Sequence, residues 1–154
     1  MKYARIDENR IVREIIPSED PVFPGMPVTE RYSKDFLSQC LELPDEVPVE
    51  QDMEYLPLEN IFVQQIRFLG AESVLAEQNT VETIPVAFSE AGIWEVTDSG
   101  GIAATQQGDE LLLTGGEPGS YIVTVAFTET NHNRRKEQTI AINVANSGSQ
   151  PKGD

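Results

Sequence analysis

The second half of the chain is dominated by one pattern, the alternation of apolar with polar or small side chains. Val123, Val125 and Phe127, for example, are separated by Thr124 and Ala126. Successive side chains of a strand point to opposite faces of a sheet, so this spacing predicts antiparallel strands with one buried face and one face in water. The other alternating sets are Ile66 and Phe68; Ile84, Val86 and Phe88; Trp94 and Val96; Leu111 and Leu113; Tyr121 before Val123; and Ile140, Ile142 and Val144.

These sets are separated by turn glycines at the spacing of roughly 8–12 residues that is typical of β-sandwiches. No stretch of residues 63–146 has a helical period of useful length. We therefore predict a mainly β protein in which residues 63–146 form a two-layer sandwich of about seven short antiparallel strands.

Residues 1–62 have a different composition, because they hold seven of the ten prolines and only one of the eleven glycines. Proline fixes φ and removes an amide donor, so this part is expected to form short elements joined by extended segments. The predicted elements are a hairpin of Lys2–Ile6 and Ile11–Ile16, a helix from Lys34 to Cys40 capped by Ser33, and a short strand at Leu41–Leu43. The domain organisation is then a hairpin and short-helix module at 1–62, a sandwich at 63–146 and a flexible tail at 147–154.

Charge restricts the partners of such a chain. Asp and Glu number 26 against 11 Lys and Arg, which gives a formal net charge of −15. A chain this acidic repels phosphate backbones and anionic lipid, and its clearest basic run is Arg134-Arg135-Lys136. No apolar run approaches the roughly 20 residues that span a bilayer, and the N-terminus lacks the apolar region of a signal peptide. We expect a soluble protein that binds neither nucleic acid nor membranes.

Residue types that carry chemistry are present without the spacing that chemistry needs. His132, the only histidine, lies in a polar connection between strands, and Cys40, the only cysteine, fits the buried side of a short helix. A single cysteine also excludes an internal disulfide and a cysteine-based zinc site. The acidic run from Glu42 to Glu54 lacks EF-hand spacing, and Gly115–Gly119 lacks the lysine and helix of a phosphate-binding loop. We therefore predict no catalytic residue, no metal site and no cofactor, and a protein that is not an enzyme.

Two segments are candidates for binding a protein partner. The stiff, proline-rich stretch Pro21–Tyr32 carries apolar and cationic side chains, and a stiff segment loses little entropy on binding. The basic run lies between two strands and is a candidate for docking on an acidic neighbour or a glycan. Internal packing of a small module explains the first segment equally well, and a solubilising loop explains the second. The candidate partner-binding residues are Phe23, Met26, Arg31, Tyr32, Arg134, Arg135 and Lys136.

Residues 63–146 resemble a bacterial or phage immunoglobulin-like domain. The resemblance rests on Pro118-Gly119-Ser120-Tyr121-Ile122-Val123-Thr124-Val125, on the closing segment Lys136 to Val144, and on Trp94, where such domains often carry a core tryptophan. It implies that Trp94 fills the space between two sheets and that the Tyr121 hydroxyl bonds to nearby backbone. Antibody-type domains add a cysteine pair between the sheets, which this chain lacks.

Residues 1–46 resemble short modules found among phage tail-region and prophage accessory proteins. The segments that carry this resemblance are Lys2–Ile6, Val12–Pro17, Phe23–Pro27, Arg31–Ser33, Phe36-Leu37 and Leu43–Asp45. The resemblance implies a structural protein of a phage or prophage virion, assembled in the host cytoplasm, in the tail, the baseplate or on the capsid surface. Its partners would be other virion proteins in a multi-copy assembly. The alternatives are an adhesin-like module that binds a host glycan or surface protein, and a tail-fibre assembly chaperone that is absent from the mature particle.

Overall fold

The computed structural model describes residues 1–146. The predicted tail, 147–154, lies outside the described residues. Contacts within the chain divide it into two compact units, Met1–Gln65 and Ile66–Asp154.

The first unit is built from a three-stranded antiparallel sheet, two short helices and a small second hairpin. The sheet has the order β2-β1-β3, and β4 pairs with β5. The elements are β1 (Lys2–Ile6), β2 (Val12–Ile16), α1 (Val28–Arg31), α2 (Lys34–Leu37), β3 (Cys40–Leu43), β4 (Glu54–Leu56) and β5 (Ile61–Val63).

The hairpin of β1 and β2 is confirmed, and the side chain of Asp7 builds its turn. Asp7 Oδ1 accepts hydrogen bonds from the backbone N–H groups of Asn9 (2.8 Å) and Ile11 (2.9 Å), and Oδ2 pairs with Arg13 Nε at 2.6 Å. Arg10 takes a left-handed φ of 66° to close the turn. The Ile11 bond, followed by that of Arg13, holds the pKa of the Asp7 carboxyl below its usual value.

The helical segment differs from the prediction. Ser33 caps α2 as expected, since its Oγ accepts from the backbone N–H of Phe36 at 3.1 Å, but the helix ends at Leu37. Cys40 opens β3 and pairs with Arg5 of β1, so hydrogen bonding to the sheet ends the helix before it reaches Cys40. Helix α1 was not predicted.

Both faces of the first sheet are covered. Ala4, Val12 and Leu43 are buried on one side, while Ile16 packs with Val28 of α1 and Leu37 of α2 on the other. Helices α1 and α2 thus pack on one face of this sheet, and a second apolar cluster covers the other face.

The second unit is a sandwich of seven strands, and this prediction is confirmed. One sheet has the order β7-β10-β9 and the other β6-β12-β11-β8. The strands are β6 (Ser73–Glu77), β7 (Val81–Pro85), β8 (Gly92–Asp98), β9 (Ala103–Gln107), β10 (Glu110–Thr114), β11 (Gly119–Glu129) and β12 (Arg135–Ala145).

The strand order is that of the immunoglobulin fold. Strands β7, β10 and β9 correspond to its B, E and D strands, and β8, β11 and β12 to its C, F and G strands. The first strand, β6, joins the second of these sheets and runs parallel to β12, whereas the other pairs of the sandwich are antiparallel. Strands β11 and β12, at 11 residues each, are longer than expected.

The inner faces of the two sheets form one apolar core. Trp94 is 7% exposed within this core, as the resemblance implied. The Tyr121 hydroxyl donates to the backbone oxygen of Glu117 at 2.6 Å, which confirms the expected local bond at the start of β11. The fully buried side chains of the core are Leu111, Leu113, Val123, Val125, Ile140 and Ile142.

The predicted first strand around Ile66 and Phe68 is wrong. This segment forms no strand but an isolated bridge between Phe68 and Phe88, whose rings lie 5.3 Å apart. Two backbone hydrogen bonds flank the bridge, from Leu69 N–H to the Ala87 carbonyl and from Ser89 N–H to the Arg67 carbonyl, both at 2.8 Å. Packing between aromatic rings therefore buries apolar side chains in this segment without a strand. The first strand of the sandwich is β6, which follows this segment in the chain. The alternation pattern also missed β9, whose residues are exposed apart from the half-buried Ala104.

Candidate functional site

A tight loop after β2 presents apolar side chains to solvent. Asp20 Oδ1 accepts from the backbone N–H of Val22 (2.8 Å), and the Asp20 carbonyl accepts from that of Phe23 (3.0 Å). The Phe23 carbonyl then accepts from Met26 N–H at 3.1 Å, with Gly25 in a left-handed φ of 77° between them. We call residues 20–26 the apolar loop. Its backbone is fixed by these bonds rather than by burial of its side chains.

The exposure of the apolar loop is unusual for large side chains. Val22 is 74% exposed, Phe23 49% and Met26 37%. Scattered apolar residues at a surface are ordinary, but three within five residues on a hydrogen-bonded turn form a local patch.

Arg31 holds the segment that leads into the apolar loop. Its side chain is 4% exposed, and Nη2 donates to the carbonyl oxygens of Pro17 (2.8 Å) and Ser18 (3.0 Å). Nη1 lies 3.7 Å from Asp20 Oδ2, so the guanidinium also faces the residue that builds the turn. Arg31 was predicted to contact a partner. The structure instead directs its guanidinium to backbone carbonyls of its own unit, those of Pro17 and Ser18.

Tyr32 lies beside Arg31 and is half-buried. Its ring stacks on Phe36 at a centroid distance of 5.4 Å, and the Arg31 guanidinium carbon lies 6.0 Å from the ring centroid. Of the four candidate residues in this segment, Phe23 and Met26 are partly exposed, whereas the Arg31 side chain is buried and Tyr32 is half-buried. Val22 and Asp20 belong to the same loop and were not among the predicted residues. An Asp two residues before an exposed apolar residue is a local sign of such a turn.

The basic run at the β11–β12 turn is largely committed to internal pairs. Arg134 binds Glu129 through two hydrogen bonds, Nε to Oε1 at 2.7 Å and Nη2 to Oε2 at 2.6 Å. The two side chains are 8% and 2% exposed, so Arg134 does not present its charge to solvent. The bond from Arg134 holds the pKa of Glu129 below its usual value, against the opposing effect of burial. Arg135 is exposed and pairs with Glu137 at 3.4 Å, and Lys136 is half-buried.

The two residues that could have served as nucleophile and base lie in different units. Cys40 is half-buried, its Sγ donates to the Phe36 carbonyl at 3.6 Å, and burial raises the pKa of its thiol. His132 belongs to the β11–β12 turn. Within residues 1–146, no group of three His, Cys, Asp or Glu side chains lies close enough together to hold a metal ion. No helix in that range has the length and apolarity that crossing a membrane requires.

Each unit also contains open cavities. The first unit has one of about 500 Å³ between its helices and its sheet, which we call the helix–sheet cavity and which is lined by Tyr3, Thr29, Lys34, Leu37, Ser38 and Glu42. The second unit has cavities of about 370 and 280 Å³, and Trp94 lines both.

Comparison with known proteins gives distant structural likenesses only. No family model matches the chain, and no curated protein matches it. A putative α-galactosidase from Bacteroides fragilis superposes with a TM-score of 0.39 at 14% identity, over 52% of this chain and 17% of that one. An immunoglobulin domain complex of titin M10 and obscurin-like 1 gives 0.37 at 16% identity, over 53% and 95%. A chimeric titin Z1Z2 that carries a decorin peptide gives 0.36 at 13%, over 55% and 97%.

Proposed function

We propose that this protein is a structural component of a phage or prophage particle that acts by binding neighbouring proteins. The observation that carries the proposal is the apolar loop, in which Val22, Phe23 and Met26 are held in the open by a hydrogen-bonded turn. Exposing these side chains to water is unfavourable, and burying them against another protein recovers that free energy.

The apolar loop has the properties of a binding anchor. Binding is stronger when a segment loses little conformational entropy on forming the complex. Here the turn at Asp20 and the hydrogen bonds of the buried Arg31 side chain already fix the backbone of the loop and of the segment before it. A few large side chains usually supply most of the binding free energy of an interface. A stable interface buries roughly 1,200–2,000 Å² in total, so the loop would be the centre of a larger contact.

The sandwich fits the same role as a stable body that spaces or packs components. Strands β11 and β12 form a long hairpin through its centre, and the buried pair of Glu129 and Arg134 closes the end of that hairpin. The two sheets of the sandwich are joined by packing of apolar side chains and not by a disulfide, and such a rigid domain suits a structural role.

The adhesin alternative depended on the basic run, and the pairing described above weakens that support. Arg134 is buried against Glu129, and Arg135 is opposed by Glu137. Little positive charge is therefore left at this turn to bind an acidic partner or an anionic glycan.

The proposal is tested by quantitative mass spectrometry of purified particles and of the lysate from which they came. A structural component is expected in the particles at a stoichiometric ratio to other structural proteins. Abundance in the lysate without incorporation would instead identify an assembly chaperone and would contradict the proposal.

A second experiment tests the apolar loop itself. Phe23→Ala combined with Met26→Ala is expected to reduce incorporation at least tenfold while the purified protein keeps its circular dichroism spectrum and melting temperature. Leu58→Ala is the matched control, because Leu58 is 101% exposed and lies outside the loop. Equal incorporation of the two variants would show that the loop is not an anchor.

A further inference from the structure

The helix–sheet cavity of the first unit has the size and chemistry of a receptor for an apolar side chain. Its volume of about 500 Å³ lies in the range of roughly 300–1,000 Å³ that is usual for binding clefts. Leu37 is buried and Tyr3 half-buried, whereas the other lining residues are exposed. The cavity therefore has apolar walls inside and a polar opening.

The opening of the cavity carries one positive and one negative charge, those of Lys34 and Glu42. Lys34 lines the cavity, and in the part of the chain that the structure describes it forms no ion pair, on a protein with a net charge of −15. The polar lining around it is completed by Thr29, Ser38 and Glu42. An occupant that brings an apolar side chain next to a carboxylate on the Lys34 side would bury the side chain in the interior and pair with Lys34.

The apolar loop matches that description. Phe23 and Met26 supply large, partly exposed side chains, and Tyr3 in the cavity offers an aromatic ring against which either would pack favourably. The exposed Glu19 immediately precedes the loop, and its carboxylate has the negative charge that would pair with the ammonium group of Lys34.

We propose that the apolar loop of one copy of this protein inserts into the helix–sheet cavity of a second copy. This inference rests on the proposed function, in which the loop is an anchor, and it names the partner. Each copy carries both a loop and a cavity, so the contact joins two different surfaces and can be repeated from copy to copy. Repeated contacts of this kind give rings when the rotation closes and filaments when it does not.

The contact by itself is small, so association in solution is expected to be weak. Interfaces below roughly 1,200 Å² belong to transient complexes. Copies that are already held side by side on a particle bind effectively more tightly, because their local concentration is high.

The test is sedimentation velocity of the full chain over about 10 µM to 1 mM, with two complementary variants. Phe23→Ala with Met26→Ala removes the two largest apolar side chains of the loop, keeps Val22 and leaves the cavity open. Thr29→Trp obstructs the cavity with an indole ring and leaves the loop intact. Each variant alone is expected to associate at least tenfold more weakly than the wild type, and Leu58→Ala is expected to associate as the wild type does.

Mixing the two variants tests whether the loop of one copy enters the cavity of another. The loop of Thr29→Trp still fits the open cavity of the other variant, so an equimolar mixture is expected to give pairs that cannot grow further. Charge offers an independent check that does not depend on filling the cavity. Lys34→Glu is expected to weaken association about threefold, and adding Glu19→Lys in the same chain is expected to restore it.

The proposal is overturned if the wild type stays monomeric to 1 mM, if both variants associate as the wild type does, or if their mixture gives no pairs. Presence in particles together with a monomeric protein would reject this inference and leave the proposed function standing. Association through the loop by a protein that never enters particles would reject the proposed function and leave this inference standing.

Discussion

Removing the Arg134 side chain is expected to destabilise the sandwich far more than removing its neighbour Arg135. Arg134→Ala takes the guanidinium and its two hydrogen bonds away from the Glu129 carboxylate, which is 2% exposed and keeps the weaker effect of the backbone bond from residue 134. Arg135→Ala removes only an exposed pair with Glu137. The two variants delete the same side chain at adjacent positions and differ in what is left behind.

The expected magnitudes follow from burial. Breaking a buried ion pair by removing one partner costs about 3–5 kcal/mol, because a charge is left in a poorly solvated site. We expect a value near the lower end, about 3 kcal/mol, because the pair lies at the end of a hairpin and water can enter when Arg134 is lost. Loss of an exposed pair costs about 0–1 kcal/mol.

Urea denaturation at pH 7, followed by the fluorescence of Trp94, measures both variants. Trp94 is the only tryptophan and lies in the core of the sandwich, so its signal reports the unfolding of this unit. A third variant, Glu129→Gln with Arg134→Met, removes both charges and is expected to recover most of the stability lost in Arg134→Ala. The reasoning is refuted if Arg134→Ala and Arg135→Ala lose the same stability, or if the double variant is as unstable as Arg134→Ala.

Three further predictions concern the stability of the two units. The folded-state pKa of Glu129 lies below its usual value of 4.5. The contribution of Glu129 to the free energy of unfolding is therefore fully present above about pH 4.5 and is lost as the pH falls through the lower folded-state pKa. Urea midpoints that stay constant as the pH is lowered through this range would contradict the prediction. Tyr121→Phe loses the hydrogen bond to the Glu117 carbonyl and is expected to cost about 1 kcal/mol by the same assay, whereas an unchanged midpoint would show that the bond contributes nothing. Leu111→Ala opens a cavity at a side chain that is 0% exposed, and we expect a loss of about 2–5 kcal/mol in thermal or urea unfolding; a loss below 1 kcal/mol would show that the core closes around the gap.

The sandwich was predictable because its information is local and periodic. Leu111, Trp94 and Val125 occur in sequence sets whose period of two is the period of a strand, and all three are buried in the core. The β1–β2 hairpin was likewise predictable, because a short turn with an Asp at its start joins two apolar segments. The failed strand at Ile66 and Phe68 shows the limit of this signal, since two alternating residues do not separate a strand from a packed loop.

The candidate site was predictable only in part, because burial of charge is decided by tertiary contacts. Arg31 and Arg134 look like surface cations in the sequence. In the structure the Arg31 guanidinium donates to carbonyl oxygens 13 and 14 residues earlier in the chain. The Arg134 guanidinium donates to the carboxylate of Glu129 across the end of the β11–β12 hairpin. For Phe23 and Met26 the sequence left an interface role and internal packing open, and the structure leaves both side chains partly exposed on a loop whose backbone is held by its own hydrogen bonds.

The most direct test of the account is photo-cross-linking from the apolar loop in assembled particles. A photoreactive phenylalanine analogue placed at position 23 is predicted to cross-link to another particle protein or to a second copy of this chain, whereas the same analogue at the fully exposed position 58 is not. Cross-links that are absent at position 23, or equally frequent at both positions, would contradict the claim that this loop binds the protein to its neighbours.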